Sequence, residues 1–306
     1  MSGIVAVILL GILMSIGLAG AALAERMIPA FLAGQTRPSW RLPLAEAARL
    51  LKTQRIRTEA PDALLLWLAP ALYLALAIVG LAVVPFGPGL VVIPSEVGIV
   101  VWGSCEALTI VAVFMFGWSA NAPLPLIGAY RYVAVALPAM LLSMFVLIGA
   151  ALPAQSLGFT EIVEAQRTVW NVLRQPAGLI LFLMLGLAIS LRGPFDYADP
   201  ADLAGGTTAD VSGPALLAWR IARLAMLVSV SAVTATAFLG GYLGPLLPGF
   251  VWLLLKTAVV LLILVAAGNL LARMPPARMM GLIWTALLPL SFLMLLSVGL
   301  ELLLWG

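Results

Sequence analysis

The chain contains no histidine and a single cysteine, Cys105. It therefore cannot assemble a Cys/His metal cluster, ligate haem through imidazole or close an internal disulfide. Charge is scarce as well: 9% of the 306 residues are Asp, Glu, Lys or Arg, against roughly a quarter in an average soluble domain. Basic stretches interleaved with aromatics are missing too, so the pI near 9.4 is read through membrane topology and nucleic acid is excluded as a partner. What is abundant is apolar. Hydrophobic residues make up 63% of the sequence, the composition of an integral membrane protein.

Apolar runs cover residues 3–24, 63–84, 97–118, 132–152, 176–191, 216–241, 250–271 and 279–305, each near the ~20 residues that cross a hydrocarbon core. They predict an all-α polytopic membrane protein: one transmembrane domain of about eight helices, the fifth short, with no soluble domain left over. The first run has no basic residue ahead of it and no small-residue cleavage site before Glu25–Arg26, so it is read as a span and not a signal peptide. Proline and glycine interrupt the runs at "VPFGPG", "RGPFD", "GGYLGPLLPG" and "RMPPAR", as residues that end helices or turn the chain. The sequence shows no internal repeat of the kind many transporters carry.

Cations set the expected orientation. The connector 25–62 carries Arg26, Arg37, Arg41, Arg49, Lys52, Arg55 and Arg57, whereas connectors 84–96 and 241–249 carry none. By the positive-inside rule the first connector and every second one after it, including 192–215, face the cytoplasm, and both termini lie on the outer side of a bacterial inner membrane. Arg131, Arg192, Arg220, Arg223, Arg273 and Arg278 fall on or near the same side, while Arg167, Arg174 and Lys256 fall toward the other. Within the first connector "PLAEAARLLKTQRI" reads as a surface amphipathic helix, with Leu44, Ala47, Ala48 and Leu51 on one face and Glu46, Arg49 and Lys52 on the other. Such a helix meets either anionic lipid or a soluble partner.

The connector "RGPFDYADPADLAGG" resembles the "RAPFDLPEAE" connector of subunit 1, the H-type membrane subunit, of respiratory NADH:quinone oxidoreductase (complex I). Further similarities follow in the family's order: "ER" at Glu25–Arg26, "PLAEAARLL", "LAPAL", "VPFGPGLVV", "GWSANAPLPLIGAYR", "EIVEAQ", "FLGGYLGPLLPG" and the "LLK" ending at Lys256. The resemblance implies a subunit at the heel of a large complex, with cytoplasmic loops packed on a hydrophilic arm and other membrane subunits beside it. It implies quinone as substrate, no cofactor on this chain, and iron–sulfur clusters and flavin in partner subunits.

Arg26, Arg37 and Arg192 match family positions, and with Glu25, Phe195 and Asp196 they are the expected quinone-chamber and arm-docking residues. An apolar tunnel between spans would admit an isoprenoid tail, and an arginine-rich mouth would hold a polar headgroup. A purely structural account of Arg192 and Asp196, four apart, is a salt bridge fixing the loop. Arg273 lies on a short loop remote from both in sequence.

The chain departs from the family inside the membrane. "AISLRGPFD" places Ile189 and Leu191 where the family resembles "AETNRAPFD", and "AVALPAM" places Val135 and Met140 where it resembles "AQMISYE". Intramembrane acids are retained mainly for ion or proton transfer, so proton coupling by the family's route is expected to be altered. Glu106, in "WGSCEALTI", is the carboxylate near mid-span; it is either a substitute proton relay or a buried group paired with a hydroxyl or cation. Cys105 beside it reads as a packing residue. Two other functions compete with the quinone-linked role: the membrane anchor of an energy-converting hydrogenase or formate-hydrogenlyase-type complex, and a small-molecule transporter.

Overall fold

A computed structural model describes residues 2–34, 40–56, 58–200 and 205–305. In chain order the helices are α1 (Ser2–Leu32), α2 (Leu42–Lys52), α3 (Ala63–Ala82), α4 (Gly98–Ser119), α5 (Pro123–Ala151), α6 (Phe159–Ala165), α7 (Asn171–Arg174), α8 (Pro176–Ile189), α9 (Gly213–Phe238), α10 (Gly249–Leu270), α11 (Pro276–Leu282) and α12 (Leu288–Trp305). A π-helical turn, Ile283–Leu287, joins the last two. In lipid every backbone amide must be satisfied within its own segment, which is why the apolar runs become helices. Proline opens several of them at a first-turn position, where its missing N–H costs nothing: Pro123, Pro176, Pro214 and Pro276.

Among the described residues seven helices are long and apolar enough to cross a membrane, and the fold is an all-α polytopic membrane bundle. The expected fifth pass differs. Its helix α8 has 14 residues, about 21 Å at 1.5 Å per residue, short of the ~30 Å hydrocarbon core. Its N-terminal neighbour Gln175 packs against Gly149 near the end of α5, while the carbonyl of Ile189 at its other end accepts from the Tyr73 hydroxyl in the middle of α3. The chain then completes the pass as the irregular segment 190–199, enclosed by protein, where non-helical backbone at membrane depth is tolerated.

The central helix is α9, whose residues from Ala225 to Phe238 are all buried. Small Ala, Ser, Val and Thr side chains let α3, α8 and α10 close around it, and Trp219 stacks on Phe116 of α4 at 4.0 Å between ring centroids. Two end-layers result. The described residues of connectors 33–62 and 190–212, together with 271–275, gather at one end, called here the cleft end. The far end holds connectors 83–97, 152–175 and 239–248 and both ends of the described chain, with Glu301 of α12 placed 3.9 Å from Arg174. There Gln166 and Asn171, both buried, tie the loops down: Gln166 Nε2 donates to the Thr236 carbonyl at 2.9 Å, and Asn171 Nδ2 donates to the carbonyls of Ala150 and Ala237.

One further expectation changes. Helix α1 does not stop before Glu25 but continues to Leu32, which carries Glu25 and Arg26 on a rigid helical face. Helix α2 seats itself through Pro43, Glu46, Ala47 and Leu50, spaced three and four apart, and Leu50 is its buried residue. Leu44 and Leu51, expected on one apolar face, are 69% and 60% exposed, as apolar side chains of a surface helix turned to lipid are.

Candidate functional site

The irregular segment after α8 is held at three points. Leu191 adopts a left-handed φ of 56°, and its carbonyl accepts from Arg223 of α9. Asp199 is the second point: one carboxylate oxygen takes hydrogen bonds from Thr207 Oγ1 at 2.7 Å, Thr208 N at 2.9 Å and Thr208 Oγ1 at 3.1 Å, and the other faces Trp219 Nε1 and Arg223 Nη1, each at 3.4 Å. The third is the Tyr197 hydroxyl, which donates to the Met274 carbonyl at 2.8 Å. Gly128 of α5 lies under the returning strand of this connector. A Cβ there would meet the Ala198 carbonyl at 2.6 Å and Gly206 at 2.8 Å, so only glycine fits.

Anchored this way, the segment walls a polar cleft of about 290 Å³, lined by Glu25 and Arg26 of α1, Leu191, Arg192, Asp196 and Asp199 of the segment, Arg223 of α9, and Gly268 and Asn269 of α10. Arg192, its side chain 10% exposed, donates from Nη2 to Glu25 Oε1 at 2.5 Å across 167 positions of sequence. Asp196 faces Arg273 at 3.6 Å. The expected Arg192–Asp196 pair is therefore not formed: the turn that brings Phe195 N to the Arg192 carbonyl at 2.8 Å sends the two side chains to opposite walls. Two buried atoms of the cleft residues, Arg192 Nε and Asp196 Oδ1, have no hydrogen-bond partner.

Against the lipid side of the same Glu25–Arg26 step lies a second, apolar cavity of about 360 Å³ between α1, α2 and α9, walled by residues such as Leu18, Ala22, Leu50, Ile221 and Leu224. Its rim is ionic. Glu46 of α2 receives Arg26 of α1 on one oxygen and Arg220 of α9 on the other, which straps the amphipathic helix over the groove.

Of the residues expected at the site, Glu25, Arg26, Arg192 and Asp196 converge on the cleft. Phe195 is 2% exposed and serves the packing behind the wall; Arg37 lies outside the described residues. Glu106 is elsewhere, buried on α4 with Ser143 of α5 donating to its Oε1 at 2.6 Å. Of the two expectations for it, the hydroxyl partner is what the structure contains, and a relay role is compatible with that partner. Met140, Val135, Ile189 and Leu191 are all buried apolar side chains. Among the described residues no group of three or more His, Cys, Asp or Glu could hold a metal ion. Arg220, Arg223, Asp199 and Arg273 complete the site and were legible only in part. Arginine one or two turns inside an apolar helix is expensive in lipid, and that cost, beyond its use as a topology marker, signals an acidic partner.

A partly shielded charged cleft and an apolar groove that share Glu25 and Arg26, inside a polytopic helical bundle, define a membrane protein with its candidate site at one end of the bundle. The chain matches the NADH dehydrogenase family over residues 4–299 and belongs to it. It is 35% identical to the H-type subunit, copy 1, of the NADH-quinone oxidoreductase of Rhodopseudomonas palustris (strain HaA2) over 257 residues, which is 84% of this chain and 81% of that protein.

Proposed function

We propose that the chain is the membrane subunit of a complex I-type NADH:quinone oxidoreductase, where it forms part of the quinone chamber and docks the hydrophilic arm. One observation carries this: the apolar groove and the charged cleft meet at Glu25 and Arg26, which line both. An isoprenoid tail suits the first, and a quinone ring with two carbonyl acceptors suits the second, whose Arg26, Arg192 and Arg223 carry donors. The cofactors that deliver electrons, iron–sulfur clusters and flavin, belong to partner subunits in this proposal, and this chain contributes binding and orientation. The cleft end, which gathers most of the cations, faces the cytoplasm, and both ends of the chain face outward across the inner membrane.

Purification from native membranes followed by subunit identification and donor-to-quinone assay tests the proposal. Iron–sulfur partners and quinone reduction are the expected result. A nickel–iron partner would replace it with the hydrogenase anchor, and an isolated chain with transport activity would overturn it.

A further inference from the structure

A third enclosure opens at the cleft end, lined by none of the residues that line the charged cleft or the apolar groove. It holds about 310 Å³ between the connector that precedes α3, the first turns of α3, the end of α4 and the start of α9, at the low end of the ~300–1,000 Å³ of ligand sites. Its level is fixed by the helices that wall it: Ala63 is the first residue of α3, Ser119 the last of α4 and Ala215 the third of α9. Three spans end here, so the enclosure lies where a bilayer places its headgroups.

The connector is already fastened. Ile56 N donates to Ser212 Oγ at 2.7 Å, Ser212 Oγ donates to the Gln54 carbonyl at 2.7 Å, and Thr58 Oγ1 donates to the Ala120 carbonyl. Thr58 has thereby spent its proton, and its oxygen can only accept.

Two opposite charges line the enclosure without meeting. Arg55 and Asp210 both face it, and among the described residues neither side chain forms a hydrogen bond or an ion pair. Asp62, between the lining residues Pro61 and Ala63, is committed to its own helix, where it accepts from Leu64 N and Leu65 N. The remaining wall is apolar and includes Leu66 and Trp67 of α3. Trp67 is exposed together with Leu64 and Leu68, a spacing of three and four that puts all three on one face of α3. An apolar face leads away from the charged end of the enclosure, with a tryptophan at the level where membrane proteins concentrate that residue.

We propose that this enclosure binds one phospholipid whose headgroup carries a primary ammonium. Its phosphate pairs with Arg55, its ammonium donates to Asp210 and Thr58, and its acyl chains run along the Leu64, Trp67 and Leu68 face. Only a zwitterion satisfies both charges: an anionic headgroup without an ammonium leaves Asp210 against like charge, and a quaternary ammonium has no N–H to give the two acceptors. The bound lipid bridges the first connector to the start of α9. This site goes beyond the quinone-chamber reading and does not rest on it.

The test uses the full chain with the subunits that accompany it, stripped of lipid in detergent and supplied with phosphatidylethanolamine, phosphatidylcholine or phosphatidylglycerol of matched acyl chains. Native mass spectrometry counts the lipid retained by the parent, Arg55→Gln and Asp210→Asn. Arg55 is exposed and Asp210 partly so, and neither change opens a cavity in the core. The parent should retain the ethanolamine lipid roughly tenfold better than the choline lipid, the effect of one charge-assisted hydrogen bond. Asp210→Asn should abolish that preference, and Arg55→Gln should lower retention of all three lipids. A phosphatidylethanolamine with a photoreactive acyl chain should label the peptide that contains Trp67. Equal retention of ethanolamine and choline lipids by the parent overturns the proposal, as does a preference that survives Asp210→Asn. Labelling that misses the Trp67 peptide and falls on an accompanying subunit also overturns it, and makes the enclosure a protein interface.

Discussion

Asp196 faces Arg273 at 3.6 Å across the mouth of the cleft, joining the connector after α8 to the loop after α10, although 77 positions separate them in the chain. Both side chains are partly shielded, with 22% and 29% of their surface exposed. Removing either one breaks this tie between the two loops.

Asp196→Ala and Arg273→Ala should therefore have similar consequences. Each is expected to lower donor-to-quinone turnover of the assembled complex roughly tenfold, equivalent to about 1.4 kcal/mol, and the double variant should fall little further because the two share one interaction. Turnover normalised to assembled complex is the readout. Additive losses would mean that the pair acts as two separate groups.

Asp199 organises more of the connector than any other acid in the cleft. Asp199→Asn leaves Arg223 without its carboxylate, and the expected loss of stability is about 3 kcal/mol, in line with breaking one partner of a buried pair. Thr207→Val removes a single neutral donor and should cost about 1 kcal/mol. Thermal unfolding of the detergent-solubilised assembly separates the two, and equal shifts would contradict the central place given to Asp199.

Glu46 holds α2 to α1 and α9 through Arg26 and Arg220, which are 44% and 41% exposed. Pairs this exposed contribute little to global stability, typically below about 1 kcal/mol each. Glu46→Gln should leave the melting temperature nearly unchanged while speeding amide hydrogen exchange across residues 42–52. Exchange as slow as in the parent would show that Leu50 alone seats the helix.

At the far end, the Arg167 guanidinium and the Tyr242 hydroxyl, the latter at 2.5 Å, hold the Glu164 carboxyl below its usual range. Burial, with Glu164 adding to it, pushes Tyr242 upward. A depressed carboxyl stabilises the fold above its unfolded value of about 4.3, and that contribution is lost as the pH falls through the folded value. The stability difference between parent and Glu164→Gln should be full from neutral pH down to about pH 4.3 and be lost only as acidification continues through the depressed folded value. A difference that persists there would assign the effect to packing.

How much of this is legible in the sequence depends on which force sets each feature. Lipid dictates the number and order of apolar runs, so the all-α bundle and its short fifth pass follow from composition and length alone. Where that pass ends in space does not follow, because it depends on Tyr73 and Arg223 reaching the carbonyls of Ile189 and Leu191 from two other helices. Partner choice is equally hidden. Arg192 has an acid four residues away, yet it bonds one 167 residues back, since the turn at Phe195 directs the nearer acid elsewhere. The seating of α2 is hidden for a related reason: at a lipid boundary leucine is at home on the outer side, so hydrophobicity alone does not say that Leu50 is the one that faces protein. Of the four cleft residues recovered from the resemblance, Glu25 and Arg26 reach the cleft because helix α1 runs on past them to Leu32, and Arg192 and Asp196 because the segment after α8 forms the facing wall.

The early end of α8 has an electrostatic consequence. The acids and arginines that line the cleft, Glu25, Asp196 and Asp199 against Arg26, Arg192 and Arg223, cancel in formal charge. The last carbonyls of a helix carry the negative pole of its macrodipole, about half a unit, and because α8 stops inside the bundle that pole sits beside Arg192 and Arg223 and not in the solvent layer. The guanidinium groups are thereby neutralised from two directions, by carboxylates and by a helix end. With the six formal charges already cancelling, that pole tips the cleft toward the negative, so a free anion is disfavoured there and an uncharged group enters at less electrostatic cost.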